Sequence, residues 1–333
     1  MSRVTLYLIL AALGLASAAL SWVLARATQR LAFRLRAIDE PKGGRKIHEM
    51  ATPLLGGLGI GLVVLIAFGF LSPWLSVPSL ALTGLMVAAI ILMFGGVLDD
   101  RHDLPAKYQI LFPIVGCVVA VACGLSISHI TNPSGGAYSL QFWVIGGVAV
   151  LPSLLAFCWL MGVTYATKAM DGLDGLVTGQ AVIGAMLIVA LSLTQRYYQP
   201  SMAMLAVVVA GAFAGFLPHN MNPAKQFLGE AGSTLAGFLL GALAILSGAK
   251  LATALMVLGL PIVDLAFVLV GRVRRGVSPF KGDDTHLHHK LLKAGLDKRH
   301  VVYLLWSLTA LVGAAGLFVQ TREKSCYLFY CVQ

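Results

Sequence analysis

Lys168-Ala169-Met170-Asp171-Gly172-Leu173-Asp174-Gly175-Leu176 sets two carboxylates three residues apart, each followed by glycine, between long apolar runs. A charge at bilayer depth costs roughly 2.5–3.5 kcal/mol on insertion scales. Two in one stretch must therefore lie at a helix end or line a polar cavity. Glycine after each Asp permits a tight turn or the close approach of a ligand. An ordinary Asp-Gly loop between two helices would look the same. The position of the other charges separates the two readings.

The chain of 333 residues is 58% hydrophobic and only 11% charged, less than half the charged share of soluble domains, about 25%. That composition belongs to an integral membrane protein. Its apolar runs are continuous over about 20 residues rather than alternating, which excludes a β-barrel. The net charge of +10 does not point to nucleic acid, because the basic residues flank the apolar runs and read as topology signals. Cys117, Cys123, Cys158, Cys326 and Cys331 show no metal-binding spacing. The last two could pair if the tail faces an oxidising space. The first apolar segment is too long for a cleaved signal peptide and reads as a retained anchor.

Apolar segments fall at 4–25, 53–71, 79–98, 105–125, 142–164, 175–195, 200–217, 232–248, 250–271 and 300–319. The expected fold is thus an all-α polytopic bundle of about ten transmembrane helices with both termini outside. One membrane domain should span residues 1–320, followed by a short tail at 321–333. All Lys and Arg except Arg3, Arg196, Lys250, Arg322 and Lys324 then lie on the inner side, which fixes the orientation. The acidic residues follow no such rule, yet only Glu323 falls outside. Of the histidines only His129 does. The titratable chemistry is gathered at one membrane surface. A transporter, the rival reading, would place ionisable groups near the midplane.

Four inner loops carry that chemistry. Asp99-Asp100-Arg101-His102-Asp103 ends the third segment, with Asp99 and Asp103 on one face if the stretch is helical and Lys107 one turn on to neutralise it. Such a cluster suits magnesium, which takes a few carboxylates plus substrate phosphates; a polar helix-ending turn is the plainer alternative. Asp171 and Asp174 follow, with Lys168 one turn earlier. A third loop runs from His219 and Asn220 to Phe227-Leu228-Gly229-Glu230, Glu230 standing between glycines directly before an apolar segment. The fourth passes from Arg272 through Lys281 to Asp283-Asp284-Thr285-His286-Leu287-His288-His289-Lys290. Three His in four positions could suggest zinc, but no thiolate is near, and donors for phosphate oxygens fit better. Arg45, Lys46 and His48 add basic groups at the same surface. Asp264, inside the ninth segment, reads as the buried partner of an interior donor. Together these loops describe a divalent-metal site for phosphate-bearing substrates, open to both cytosol and lipid.

At this point the motifs show a resemblance. From His48–Gly57 to His300 the chain resembles the bacterial polyprenyl-phosphate N-acetylhexosamine-1-phosphate transferases. These share a superfamily with the phospho-N-acetylmuramoyl-pentapeptide transferase. Asp99-Asp100-x-x-Asp103, Asp171-Gly-Leu-Asp174-Gly-Leu, Phe227-Leu-Gly-Glu230-Ala-Gly-Ser and His286-Leu-His288-His289 stand in family order. The His-x-His-His form is similar to the branch using UDP-N-acetylglucosamine or a related sugar. The resemblance implies transfer of a sugar 1-phosphate from a UDP-sugar to undecaprenyl phosphate with release of UMP, dependent on Mg²⁺ or on Mn²⁺ in its place. It implies metal binding by Glu230 with Asp99 and Asp100, and catalytic roles for Asp99, Asp100, Asp103, Asp171 and Asp174. Phe227 would lie beside the uracil. Lys46, His48, Lys107, Lys168, Asn220, His286, His288 and His289 complete the substrate-binding set. Partners would be the two substrates and membrane lipid, with no nucleic acid; a homodimer is left open. UDP-MurNAc-pentapeptide or another UDP-N-acetylhexosamine are alternatives to the sugar donor named.

Two features depart from the family pattern. The metal-binding acid is usually Asp, and Glu230 is one methylene longer. Tyr165 and Lys168 stand where two Asn are common. A phosphomonoester is largely dianionic at pH 7, its second pKa being about 6. An ordinary Asp would have little proton to remove, so direct displacement at the β-phosphorus is expected over a covalent aspartyl intermediate.

Overall fold

The computed structural model describes residues 2–40, 51–131, 137–141, 143–145, 148–195, 198–247, 251–278 and 285–330, with the backbone alone at 130–131, 137, 145, 148, 251–258 and 319–330. Lys42, Arg45, Lys46, His48, Lys281, Asp283, Asp284 and Cys331, and the side chain of Cys326, lie outside the described residues.

Twelve helices are seen among these residues. They are α1 (Arg3–Leu35), α2 (Gly56–Leu71), α3 (Ser79–His102), α4 (Ala106–Gln109), α5 (Leu111–Ala122) and α6 (Val150–Met170). They continue as α7 (Leu176–Ser192), α8 (Pro200–Asn220), α9 (Gly229–Leu246), α10 (Leu251–Arg274), α11 (Leu287–Lys293) and α12 (Lys298–Tyr330). Seven are long and apolar enough to cross a membrane among the described residues, and the α4–α5 pair and α7 form two shorter apolar stretches. The protein is an all-α, multi-pass membrane protein. Each of the ten expected segments coincides with one of these helices or, for the fourth, with the α4–α5 pair.

Some boundaries differ: α1 runs on to Leu35 and α6 to Met170. The fifth segment starts at Val150 rather than 142, because Val144–Ile145 (β5) pairs antiparallel with Val148–Ala149 (β6). Just before it, His129–Thr131 (β3) pairs with Ala137–Ser139 (β4). At the opposite end of the bundle Ile38–Asp39 (β1) pairs with Thr52–Pro53 (β2), tying the end of α1 to the start of α2.

The packing is centred on α9, in which every residue from Ala231 to Ala244 is buried. It touches α2, α3, α6, α7, α8 and α10. Small residues make that possible, as they do where helices must approach closely without a water-driven collapse. A Cβ on Gly96 would run into Ala231, and one on Gly57 into the backbone of Gly232. Outward-facing Ile66, Phe70, Phe94, Leu111, Phe267 and Leu311 are exposed, the pattern of a lipid-facing surface. The chain alternates direction from helix to helix. The C-terminal ends of α3, α6 and α8 therefore share one end of the bundle with the N-terminal ends of α9 and α12.

Candidate active site

At that shared end the helix termini and their loops enclose a cavity of about 670 Å³. Asp99 and Asp100 come from the last turn of α3. Lys168 comes from the last turn of α6, and Asp171 and Asp174 from the turn into α7. Asn220, Phe227 and Glu230 enter from the α8–α9 connection. Segments far apart in sequence thus bring five expected carboxylates together.

The loops are held by backbone pairing before any side chain acts. The Phe227 N–H donates to the Pro53 carbonyl at 2.9 Å, and the Gly57 N–H donates to the Leu228 carbonyl at 2.8 Å. Phe227 is thereby set half-buried on the cavity wall. Gly229 follows with φ +74°, and a Cβ there would meet Asp100 Oδ2 at 2.5 Å. That glycine turns the chain so that the Glu230 N–H donates to Asp100 Oδ1 at 2.8 Å. A helix N-terminus favours an anion at this position. Asp100 Oδ2 is buried and has no hydrogen-bond partner.

Asp99 is also fixed: the Leu104 N–H donates to Oδ1 at 2.9 Å and Gln109 Nε2 to Oδ2 at 2.7 Å. The amide of Gln109 passes the contact on, accepting from Lys168 Nζ through Oε1. Lys168 Nζ in turn lies 2.6 Å from Glu230 Oε1, with the Tyr165 ring 5.5 Å away. Asp99, Gln109, Lys168 and Glu230 are one connected network. Asp171 is exposed on the cavity, among the other carboxylates. The cavity walls, and then the charges of Glu230 and Asp174, raise its carboxyl above the usual carboxylate range.

Asp174 is a strut. Its Oδ2 accepts from Asn222 Nδ2 at 3.0 Å and from the Ala224 N–H at 3.1 Å. Asn220 is expected as a substrate ligand and does border the cavity, but its amide is engaged by protein at both ends. Oδ1 accepts from Thr178 Oγ1 at 2.6 Å and the Gly175 N–H at 3.1 Å, while Nδ2 donates to the Gln226 carbonyl at 3.1 Å.

Other expected site residues stand apart from the cavity. The helix of α3 stops at His102, and Asp103 turns away in the left-handed region at φ 48°, exposed rather than on the face of Asp99. Lys107 is exposed, its ammonium 4.9 Å from the Tyr108 ring, and Lys168 neutralises the cluster in its stead. His286 Nδ1 pairs with Asp264 Oδ2 at 2.7 Å, and the Leu287 N–H donates to Asp264 Oδ1 at 2.7 Å. Asp264 is thus a partner for an interior donor, and it anchors α11 to α10. His288 is buried with neither ring nitrogen hydrogen-bonded, packed against Gly172. Burial, and then the charges of His289 and His286, lower its pKa to about 4. Its imidazole, behind a glycine that itself lines the cavity, is thus held neutral. The His289 ring lies 4.2 Å from it. Lys46 and His48 lie outside the described residues.

Asp39, Lys298 and Ser233 also line the cavity, and Gln109 braces it, without having been expected there. Gln109 and Ser233 sit inside apolar runs, where their polarity was the available signal. Among the described residues, no three His, Cys, Asp or Glu side chains stand close enough to hold a metal ion alone. A magnesium ion needs only one or two carboxylates plus substrate phosphates. The orphaned Oδ2 of Asp100 beside Glu230 is a hard-oxygen pair of that kind.

Residues 82–248 match the model of glycosyl transferase family 4. The decaprenyl-phosphate N-acetylglucosaminephosphotransferase of Mycobacterium tuberculosis is 32% identical, over 96% of this chain and 85% of that protein. The probable undecaprenyl-phosphate N-acetylglucosaminyl 1-phosphate transferase of Bacillus subtilis is 31% identical, over 85% of this chain and 79% of its own. The undecaprenyl-phosphate alpha-N-acetylglucosaminyl 1-phosphate transferase of Escherichia coli K12 is 28% identical, over 88% of this chain and 79% of its own. With the family model and the relatives in agreement, the chain belongs to glycosyl transferase family 4.

Proposed function

We propose that this protein transfers N-acetylglucosamine 1-phosphate from its UDP derivative to a polyprenyl phosphate, releasing UMP. The reaction would take place at the cytoplasmic face of a bacterial inner membrane. One observation carries the reading: Asp99, Asp100, Asp171 and Glu230, with Lys168 and Phe227, line a single cavity at one end of a membrane bundle. Relatives named for decaprenyl and undecaprenyl phosphate support a long polyprenyl phosphate as acceptor. The Lys and Arg residues at the ends of α1, α6 and α10 support a cytoplasmic site.

Phosphoryl transfer needs little covalent chemistry from protein; positioning and charge compensation dominate. Phe227 offers a ring edge or face for the uracil. Lys168 lies where it can reach the diphosphate oxygens. Asp100 and Glu230 would hold Mg²⁺, or Mn²⁺ in its place, which when bound offsets charge on the diphosphate. Asp99 keeps its neighbours in register through Gln109, and Asp174 holds the Asp171 turn against the Asn222–Ala224 loop. The acceptor phosphate, largely dianionic at pH 7, attacks the β-phosphorus directly, and UMP leaves with the bridging oxygen.

The test is purified protein with undecaprenyl phosphate, Mg²⁺ and a panel of UDP-sugars, scored by UMP release. UDP-N-acetylglucosamine should give the fastest release, and only with acceptor present. Release with no UDP-sugar of the panel, or movement of lipid-linked sugar without UMP, would refute the reading.

A further inference from the structure

We propose that Lys168 is a resident cation, a positioning residue that occupies Glu230 until a divalent ion displaces it and frees its ammonium for the substrate diphosphate. The inference rests on reading this cavity as a phosphoryl-transfer site.

The charge around the cavity makes the need plain. Among the described residues, Asp39, Asp99, Asp100, Asp171, Asp174 and Glu230 border it, against two lysines, Lys168 and Lys298. Like carboxylates crowded in a partly dry site repel strongly unless a cation stands among them. Lys298 begins α12, whereas Lys168 reaches the carboxylates supplied by α3 and α9. Its ammonium is 2.6 Å from Glu230 Oε1, the two side chains being 22% and 14% exposed. It also donates to Gln109 Oε1, and Gln109 holds Asp99 Oδ2. One ammonium thus compensates two carboxylates, one by contact and one through an amide. The last turn of α6 suits it further, because a helix C-terminus favours positive charge.

Lys168 and a metal ion compete for the Glu230 carboxylate, because an ammonium and a dication on one carboxylate repel each other at this range. The backbone N–H of Glu230 is committed to Asp100 Oδ1, so the Glu230 main chain stays put while its side chain changes partner. A lysine stem has four rotatable carbons, and its strongly hydrated point charge moves easily between oxygen partners. Lys168 therefore does two jobs in sequence. Without metal it balances the site. With metal on Glu230 it is released beside the phosphates the metal attracts.

The experiment is Mn²⁺ binding, measured by loss of the free-ion EPR signal, on purified full-length protein without either substrate. Lys168→Gln keeps hydrogen bonding but removes the competing charge. It should bind Mn²⁺ roughly ten-fold more tightly than wild type, the effect of about one partly buried ion pair. In a Glu230→Gln background the same substitution should change affinity much less. Unchanged or weaker binding in Lys168→Gln overturns the proposal. So does an equal gain in the Glu230→Gln background, which would mark a general field effect. Wild type gives an independent reading should a variant fail to fold. Its melting temperature should rise when Mn²⁺ is added to chelated protein, as binding to the folded state alone requires, and no rise would count against the proposal. None of these readings depends on UMP release, so failure here is distinct from failure of the transferase assignment.

Discussion

Asp100 and Glu230 are joined through the main chain: the N–H of Glu230 donates to Asp100 Oδ1 at 2.8 Å, across the contact between α3 and α9. Gly229 makes that approach possible, with its positive φ and the Asp100 carboxylate seated over its Cα. Gly229→Ala would add left-handed strain and press a methyl against a buried carboxylate. Turnover should fall roughly 10²-fold, the cost of a misplacement on the ångström scale. The protein should still accumulate in the membrane. UMP release per folded molecule checks this, and near-wild-type turnover would show that Asp100 need not sit there.

Asp171 and Asp99 differ in what surrounds them, so their amide variants should differ too. Asp171 faces the cavity, where its charge can act on substrate, and Asp171→Asn should cost at least ~10²-fold in turnover. Asp99 has both oxygens engaged by Leu104 and Gln109. Gln109→Leu should therefore reproduce part of the Asp99→Asn defect, since it unties the same oxygen and lets go of Lys168. Kinetics of the three variants and of the Asp99→Asn, Gln109→Leu pair provide the check. Additive losses in the double variant would mean that the two residues do not act as a unit.

Much of this site was legible as breaks in apolar sequence. Asp99-Asp100, Asp171-Gly-Leu-Asp174 and Gly229-Glu230 each interrupt a membrane run, and the structure joins them at one end of the bundle. What sequence could not supply was partnership between side chains on different helices. Lys168 with Glu230 and Gln109 with Asp99 depend on how α3, α4, α6 and α9 sit against one another. His286-Leu-His288-His289 reads as a row of donors until burial is known; in the structure one His is held by an aspartate and another is sealed against Gly172. Residues 142–149 looked like the start of a span because a short apolar run does not distinguish strand from helix.

Asn220 and Asn222 sit two residues apart and should fail differently. Asn220 is buried and links Thr178, Gly175 and Gln226, so Asn220→Ala leaves several polar groups unpaired. A loss of about 2–4 kcal/mol is expected, seen as a lower melting temperature in detergent. Asn222 is half-buried and its side chain donates to Asp174 Oδ2. Asn222→Ala should loosen the Asp171–Asp174 turn and lower turnover while changing the melting temperature little. The reverse order of effects would count against Asn220 as the buried link and Asn222 as the brace of Asp174.

His288 gives the protein a specific acid lability. Its pKa lies near 4 in the folded state and about 6.5 in an unfolded chain. Between those values the unfolded chain binds the proton and the folded protein does not, so unfolding becomes easier as pH falls from about 6.5 towards 4. Above about 6.5 both forms are neutral and the residue contributes no pH dependence. The full effect is on the order of 3 kcal/mol at the acid end. His288→Leu removes the titrating group and two unpartnered ring nitrogens while keeping an apolar filler against Gly172. At pH 7.5 its melting temperature should equal or exceed that of wild type. At pH 5 the gap should widen, because wild type alone has lost stability through this imidazole. A parallel decline of both proteins with acid would show that His288 is not the group responsible.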